Sequence, residues 1–270
     1  LCIYVGLTAV LGHVSGLGKL TAESVLAGAG VLILAFGSAA LNNVQDRAYD
    51  RTFVRTAGRV IPSGKVPVVH ALGIALILLI AGWGILYKIG SVSCFLTGLS
   101  AVILYNGMYT PMKKKTLWAM VPGVLSGMLP VWIGWVGAGR SPADFQPMIL
   151  MLILGLWQVP HFMIIALKAR RRPGCPSFPI VSDRLNSREI RIQTVLWTSL
   201  YSMGIFGFLL TGGMDASVSA FACGLNALLI PVVLSAFLFG PRIRLTAAFT
   251  AVNLSMLVFL GAGISYFVFH

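Results

Sequence analysis

Asn42, Asp46 and Asp50 recur every fourth residue in LNNVQDRAYDRTFVRTAGRVIPSG, which runs on directly from the apolar VLAGAGVLILAFGSAA. On a helix that continues past Leu41, this spacing sets all three on nearly one face, about one turn apart. Two carboxylates and an amide oxygen make a hard-oxygen surface suited to Mg2+, an ion commonly shared with substrate phosphates. Arg55, Arg59 and Lys65 come next in the chain and offer the cations that a phosphate needs. A metal-bound diphosphate uses both halves of the pattern. The competing reading pairs Asp46 and Asp50 with Arg47, Arg51 or Arg55 on a solvated helix end, where ion pairs are common and contribute little. Asp and Arg at the mouth of an apolar segment are costly, which favours the metal–diphosphate reading.

The elements that must position these residues are membrane spans. The 270 residues are 57% hydrophobic and only 10% charged, with a mean hydropathy of +0.90. A soluble domain carries roughly a quarter charged residues, so this is an all-α polytopic membrane protein. Nine apolar stretches fit transmembrane helices, at 1–16, 25–41, 69–87, 92–109, 118–138, 147–167, 194–212, 218–239 and 245–268. The chain opens on Leu1 rather than Met, and the short first stretch is expected to be a span whose N-terminal part is clipped. All nine are expected to form one bundle over residues 1–270.

Charge sets the orientation. Of 20 Lys and Arg, only Lys19, Lys88 and Arg140 follow odd-numbered spans, which leaves 20 − 3 = 17 after even-numbered ones. That bias places the 42–68, 110–117, 168–193 and 240–244 loops in the cytoplasm, and the N-terminus with them. With Asp46, Asp50, Asp183 and Glu189 on the same side, that face carries 17 − 4 = +13. Attraction to anionic lipid headgroups accounts for part of this charge. No soluble reading module or interleaving of aromatics with basic runs points to nucleic acid. Cys2, Cys94, Cys175 and Cys223 are scattered without metal-ligand spacing and read as small buried hydrophobes.

The motif NNVQDRAYD followed by RT and R resembles the UbiA superfamily of intramembrane prenyltransferases. Within it, DRAYDRTFVRTAGRVIPSGKV is similar to the protoheme IX farnesyltransferase branch, as are YNGMYTPMKKKTLWAMVPGVLSGMLPVWIGWVGAG (105–139), WQVPHFMIIAL (157–167) and GCPSFPIV from Gly174. The resemblance implies a UbiA-type bundle with a cytoplasm-facing site in the inner membrane. There Asp46, Asp50 and Asn42 hold Mg2+ against farnesyl diphosphate. Arg55, Arg59, Lys65 and the Lys113–Lys115 cluster, Lys113 and Lys114 above all, neutralise the leaving diphosphate. The vinyl group of haem b then captures the allylic cation, giving haem O. Terminal oxidase assembly or haem A synthase is the partner that the resemblance suggests.

Tyr105 and Tyr109 could face the cation with their rings, although aromatics at a membrane boundary usually anchor it, and that reading is preferred. His161 follows Pro160, which is expected to break its helix and free backbone acceptors for the ring. Spacing alone makes it a satisfied core histidine, and the PHF resemblance adds porphyrin positioning or iron ligation. The family carries a second acidic motif after this segment, where this chain reads LKARRRPGCPSFP, with no carboxylate before Asp183. Asp183 then serves as a substitute metal ligand, or Arg170, Arg171 and Arg172 contact phosphate directly in place of a second ion. Alternatives to haem are a quinone- or chlorophyll-type acceptor, or a divergent haem-binding paralogue without chemistry.

Overall fold

The computed structural model describes residues 2–170, 185–211, 214 and 217–269, apart from the side chains of Arg55 and Ser91. The described residues form helices and their connections. These are α1 (Cys2–Leu17), α2 (Ala22–Arg51), the short α3 (Val54–Ala57), α4 (Val68–Val102), a π-helical segment (Ile103–Tyr109), the single turn α5 (Thr110–Met112), a 3-10 turn (Leu117–Ala119), α6 (Met120–Gly137), α7 (Phe145–Arg170), α8 (Ser187–Leu210), α9 (Val218–Phe239) and α10 (Leu245–Phe269). Among the described residues, eight segments are long and apolar enough to cross a membrane, and the apolar 16-residue α1 packs among them. This agrees with the nine expected stretches.

α2 starts on a capping box, in which the Thr21 side chain accepts from Ser24 N and the Ser24 side chain accepts from Thr21 N. Its 30 residues span about 45 Å at 1.5 Å per residue, against a hydrocarbon core of about 30 Å. The last turns therefore project beyond the apolar layer, and those turns carry Asn42, Asp46 and Asp50.

The third and fourth expected spans are not separated by a loop. Helical hydrogen bonding persists through Val68–Val102, yet the segment folds back on itself near residue 91. Trp83 and Phe95 lie with ring centroids 6.0 Å apart, whereas twelve residues of straight helix would hold them about 18 Å apart. Gly98 makes the fold-back close, since a Cβ there would sit 2.8 Å from Leu86 Cδ1.

α1 and α6 run through the middle at near backbone contact. A Cβ on Gly12 would lie 2.2 Å from Val131 O, and one on Gly134 would lie 2.1 Å from Ala9 O. Small residues admit such approaches between membrane helices, where apolar burial gives little drive of its own. On one side, Val31, Leu34, Leu79 and Leu86 form a core with Ala9 and Ile133. On the other, Leu150, Ile153, Trp157, Tyr201, Phe208 and Phe259 pack together with Leu11 and Val131. Pro160 does not break its helix, because α7 continues from Phe145 to Arg170.

Candidate active site

The helix carrying Asn42, Asp46 and Asp50 is continuous, so their one-face spacing holds. Asp46 is 7% exposed and Asp50 6%. Among the described residues, neither pairs with Arg47 or Arg51. Arg47 donates to Val44 O and Arg51 to Pro62 O, while the Arg55 side chain lies outside the described residues. The partners come from farther along the chain. Lys113 Nζ donates to Asp46 Oδ2, Lys114 Nζ lies 2.8 Å from Asp46 Oδ1, and Arg59 Nη1 donates to Asp50 Oδ2 at 2.8 Å. Burial pushes the Lys113 ammonium below its usual range, and the hydrogen bond and charge of Asp46 oppose that shift.

The π-helical segment delivers those lysines. Within it Asn106 faces α2, where its Nδ2 donates to Ser38 O and Gln45 Oε1 and its Oδ1 accepts from Ser38 Oγ. Gln45 Nε2 donates back to Asn106 O. Thr110 Oγ1 donates to Tyr105 O and accepts from Asn42 Nδ2 at 2.8 Å. Lys113 and Lys114 follow within a turn. Sequence reasoning missed Asn106, Gln45, Ser38 and Thr110. The available signal was an Asn inside an apolar span, in YNGMYT.

The set fits a divalent cation. Asp46 Oδ1 is buried and, although Lys114 is close, has no donor in hydrogen-bonding alignment. The nitrogen of Asn42 is committed to Thr110, which leaves its carbonyl oxygen as the donor atom for a metal. Among the described residues no three His, Cys, Asp or Glu side chains gather to hold a metal. Two carboxylates and an amide suit an ion that completes its shell with substrate oxygens and water.

Below this cluster lies a cavity of about 290 Å3 lined by Tyr4, Val31, Ser38, Tyr105, Gly127 and Gln158, among others. It is near the lower end of ligand-site volumes, roughly 300–1,000 Å3. Ser38 and Ala39 line it about two turns before Asp46 on α2, so it opens beneath the carboxylates. Several polar groups on its wall are satisfied by protein. Ser38 bonds Asn106, Tyr4 Oη donates to Asn253 O, Thr8 Oγ1 to Val5 O and Ser126 Oγ to Gly123 O. Such a wall accepts hydrocarbon at little cost.

Of the three expected pocket residues, Tyr105 lines the cavity. Tyr109 corrects the membrane-anchor reading, since it is 6% exposed and stacks on Tyr105 at 5.3 Å. It also lies behind the wall, as does His161, because Tyr105, Trp157 and Phe162 take the lining positions. His161 Nδ1 bonds the Asn253 side chain at 3.0 Å rather than a backbone carbonyl freed by Pro160. Asn253 Nδ2 donates to Phe249 O, so Asn253 Oδ1 is the acceptor and His161 Nδ1 carries the proton.

Among the other expected cations, Lys65 is exposed on the turn after Gly64, whose φ is +78°. Arg170 donates to Leu185 O and Ser187 Oγ, tying α7 to α8. Arg171, Arg172 and Asp183 lie outside the described residues.

Comparison with known proteins bears on this arrangement. A family model described as the UbiA prenyltransferase family matches residues 1–257. The chain is 30% identical over 218 residues to a protoheme IX farnesyltransferase of Nitratidesulfovibrio vulgaris (strain DP4), covering 80% of this chain and 76% of that one. It is 34% identical over 231 residues to a protoheme IX farnesyltransferase of Geobacter sulfurreducens, covering 84% of each. The fold is similar to that of a UbiA homolog from Aeropyrum pernix K1, with TM-score 0.77, 18% identity and coverage of 98% and 96%. It is also similar to a UbiA homolog from Archaeoglobus fulgidus bound to GPP and Mg2+, with TM-score 0.69, 12% identity and coverage of 98% and 96%. At those identities the two structures speak for the fold alone.

Proposed function

The chain belongs to the UbiA prenyltransferase family, and from that premise we propose that it transfers a farnesyl group from farnesyl diphosphate to a vinyl group of protoheme IX, giving haem O. The observation that carries this reading is the pairing of Asp46 and Asp50 with Lys113, Lys114 and Arg59 on the helix that, about two turns earlier, lines an apolar cavity. Residues 1–270 act as one unit, with the site on the cytoplasmic side of the inner membrane and the N-terminus on that same side. The 17-to-3 division of Lys and Arg supports that orientation.

Asn42, Asp46 and Asp50 would hold Mg2+, which supplies Lewis-acid neutralisation of the diphosphate when bound. Lys113, Lys114 and Arg59, with Arg55, Lys65 and the basic run from Arg170 as further cations, take up the charge of the leaving group as its C–O bond breaks. The cavity wall holds the prenyl chain and excludes water from the allylic cation until the terminal vinyl carbon adds to it; a water then adds to the cation formed on the other vinyl carbon and loses a proton, giving the hydroxyalkyl link of haem O. The ring of Tyr105 is one of the aromatic surfaces on that wall. The haem acceptor is supported by the relatives' own activity and by the block around WQVPHF. In the cell the product would pass to haem A synthase or terminal oxidase assembly.

The test is turnover of farnesyl diphosphate by the purified chain with haem b as acceptor, across Mg2+ concentrations. Farnesylated haem is the expected product. Pyrophosphate release that requires a quinone- or chlorophyll-type acceptor would reassign the acceptor. Haem binding with no turnover of any acceptor would point to a paralogue without chemistry.

A further inference from the structure

Every carboxylate at the site already has a cation in contact. Asp46 holds Lys113 by a hydrogen bond and Lys114 at 2.8 Å, and Asp50 holds Arg59 at 2.8 Å. A divalent cation on Asp46 would sit within a few ångströms of two ammonium groups, in a pocket where water screens little. We propose that Lys113 and Lys114 occupy the place of the metal in the ligand-free protein, so that a divalent cation and a diphosphate bind only as a pair, each making the site for the other. This rests on the diphosphate reading above and adds a coupling to it.

The argument is one of partner exchange. Metal alone must push both lysines off Asp46 and leave them uncompensated. Diphosphate alone meets lysines already committed to Asp46 and a carboxylate of its own sign. Together, the metal takes the carboxylates and the diphosphate takes the lysines, so no charge is left unpaired. The lysines have places to go. Lys113 Nζ lies over the Tyr109 ring at 5.5 Å from its centroid and Lys114 Nζ over the Tyr49 ring at 5.6 Å, so each ammonium keeps an aromatic face as it turns from the carboxylate. Their side chains are 16% and 26% exposed, enough to turn towards an incoming anion. By reciprocity, the factor by which diphosphate tightens metal binding equals the factor by which metal tightens diphosphate binding.

The test uses the full chain in detergent and Mn2+ as an electron-spin-resonance probe of bound metal. Wild type should take up Mn2+ alone weakly, and the K113Q/K114Q variant should take up Mn2+ alone at least about ten-fold more tightly, since two competing cations are gone. The single K114Q variant, whose lysine is the more exposed, should fall between them and guards against misfolding of the double variant. Melting temperature supplies a readout free of the probe: Mn2+ alone should raise it in the double variant, whereas wild type should need Mn2+ with inorganic pyrophosphate. Equal affinity of wild type and both variants for Mn2+ alone would overturn the coupling while leaving the diphosphate reading in place. Failure of wild type to bind Mn2+ even with pyrophosphate would remove the metal reading and this inference together.

Discussion

Replacing Asp46 by Asn keeps the shape of the side chain and deletes its charge, which separates what the carboxylate does for the fold from what it does for chemistry. Its loss strands the Lys113 and Lys114 ammonium groups. Breaking a buried pair costs roughly 3–5 kcal/mol. Here both lysine side chains are partly exposed and can turn to water, so the expected cost is nearer to about 1–2 kcal/mol. A protein of ordinary stability, about 5–15 kcal/mol, still stays roughly 99% folded after such a loss. Unfolding therefore cannot account for more than a marginal drop in rate. Removing one group that stabilises transition-state charge costs about 10^2–10^3 in turnover. Asp46→Asn should thus lose at least about 100-fold in farnesyl transfer and require higher Mg2+ for what remains, with only a modest fall in melting temperature. Asp46→Glu should recover the stability, because charge is kept, but only part of the rate, because the oxygens move by a methylene. The assay is single-turnover conversion of farnesyl diphosphate with haem b across a Mg2+ series. An Asp46→Asn rate within threefold of wild type at saturating Mg2+ would sink the argument and leave Asp46 a plain partner of two lysines.

Gly134→Ala places a methyl about 2.1 Å from Ala9 O, against backbone that cannot give, and should destabilise by about 1–3 kcal/mol; Gly73→Ala, with nothing within 4 Å, should be neutral or slightly stabilising, and melting curves in detergent compare the two. Asn106→Leu strands the Ser38 and Gln45 partners at about 1–3 kcal/mol and loosens the register of the π-helical segment; turnover should fall more than farnesyl diphosphate affinity, and an unchanged kcat would deny Asn106 that role. His161→Ala should lower the melting temperature through the lost Asn253 bond yet leave the haem b difference spectrum unchanged, since the ring lies behind the cavity wall; an altered Soret band would instead put its free Nε2 on the iron.

The spans and the carboxylate face were legible because both are periodic. Apolar length sets a helix across a bilayer whatever its neighbours are, and four-residue spacing survives as long as the helix continues. What failed to show was everything that depends on a second element. Asp46 and Asp50 have arginines next to them in sequence, and a one-dimensional reading pairs them there. Lys113 and Lys114 were expected at the site as cations for the diphosphate, but not as the direct partners of Asp46, which they reach from more than sixty residues away. The two spans of α4 were legible, at Val68–Gly90 and Val92–Met112, but not that helical hydrogen bonding runs through the turn between them, because composition reports chain polarity and not hydrogen bonds. Pro160 was read as a break, but packing on both sides of α7 keeps the helix continuous through it. Tyr109 was read as an anchor from its place at a boundary, and its burial comes from Gly123, which leaves room for the ring.

The π-helical segment joins these threads. Asn106, Thr110 and Lys113 stand four and then three residues apart, a spacing that a helical path keeps on nearly one face. All three address α2, Asn106 meeting Ser38 and Gln45, Thr110 meeting Asn42, and Lys113 meeting Asp46. Two of those contacts are neutral hydrogen bonds that fix register, and the third is an ionic contact at the solvent end. Neutral bonds do not depend on which ions are bound, so the register can persist while the lysine changes partner. A site that must exchange its own cations for a metal and an anion needs that division, with a fixed polar seam below and movable charge above.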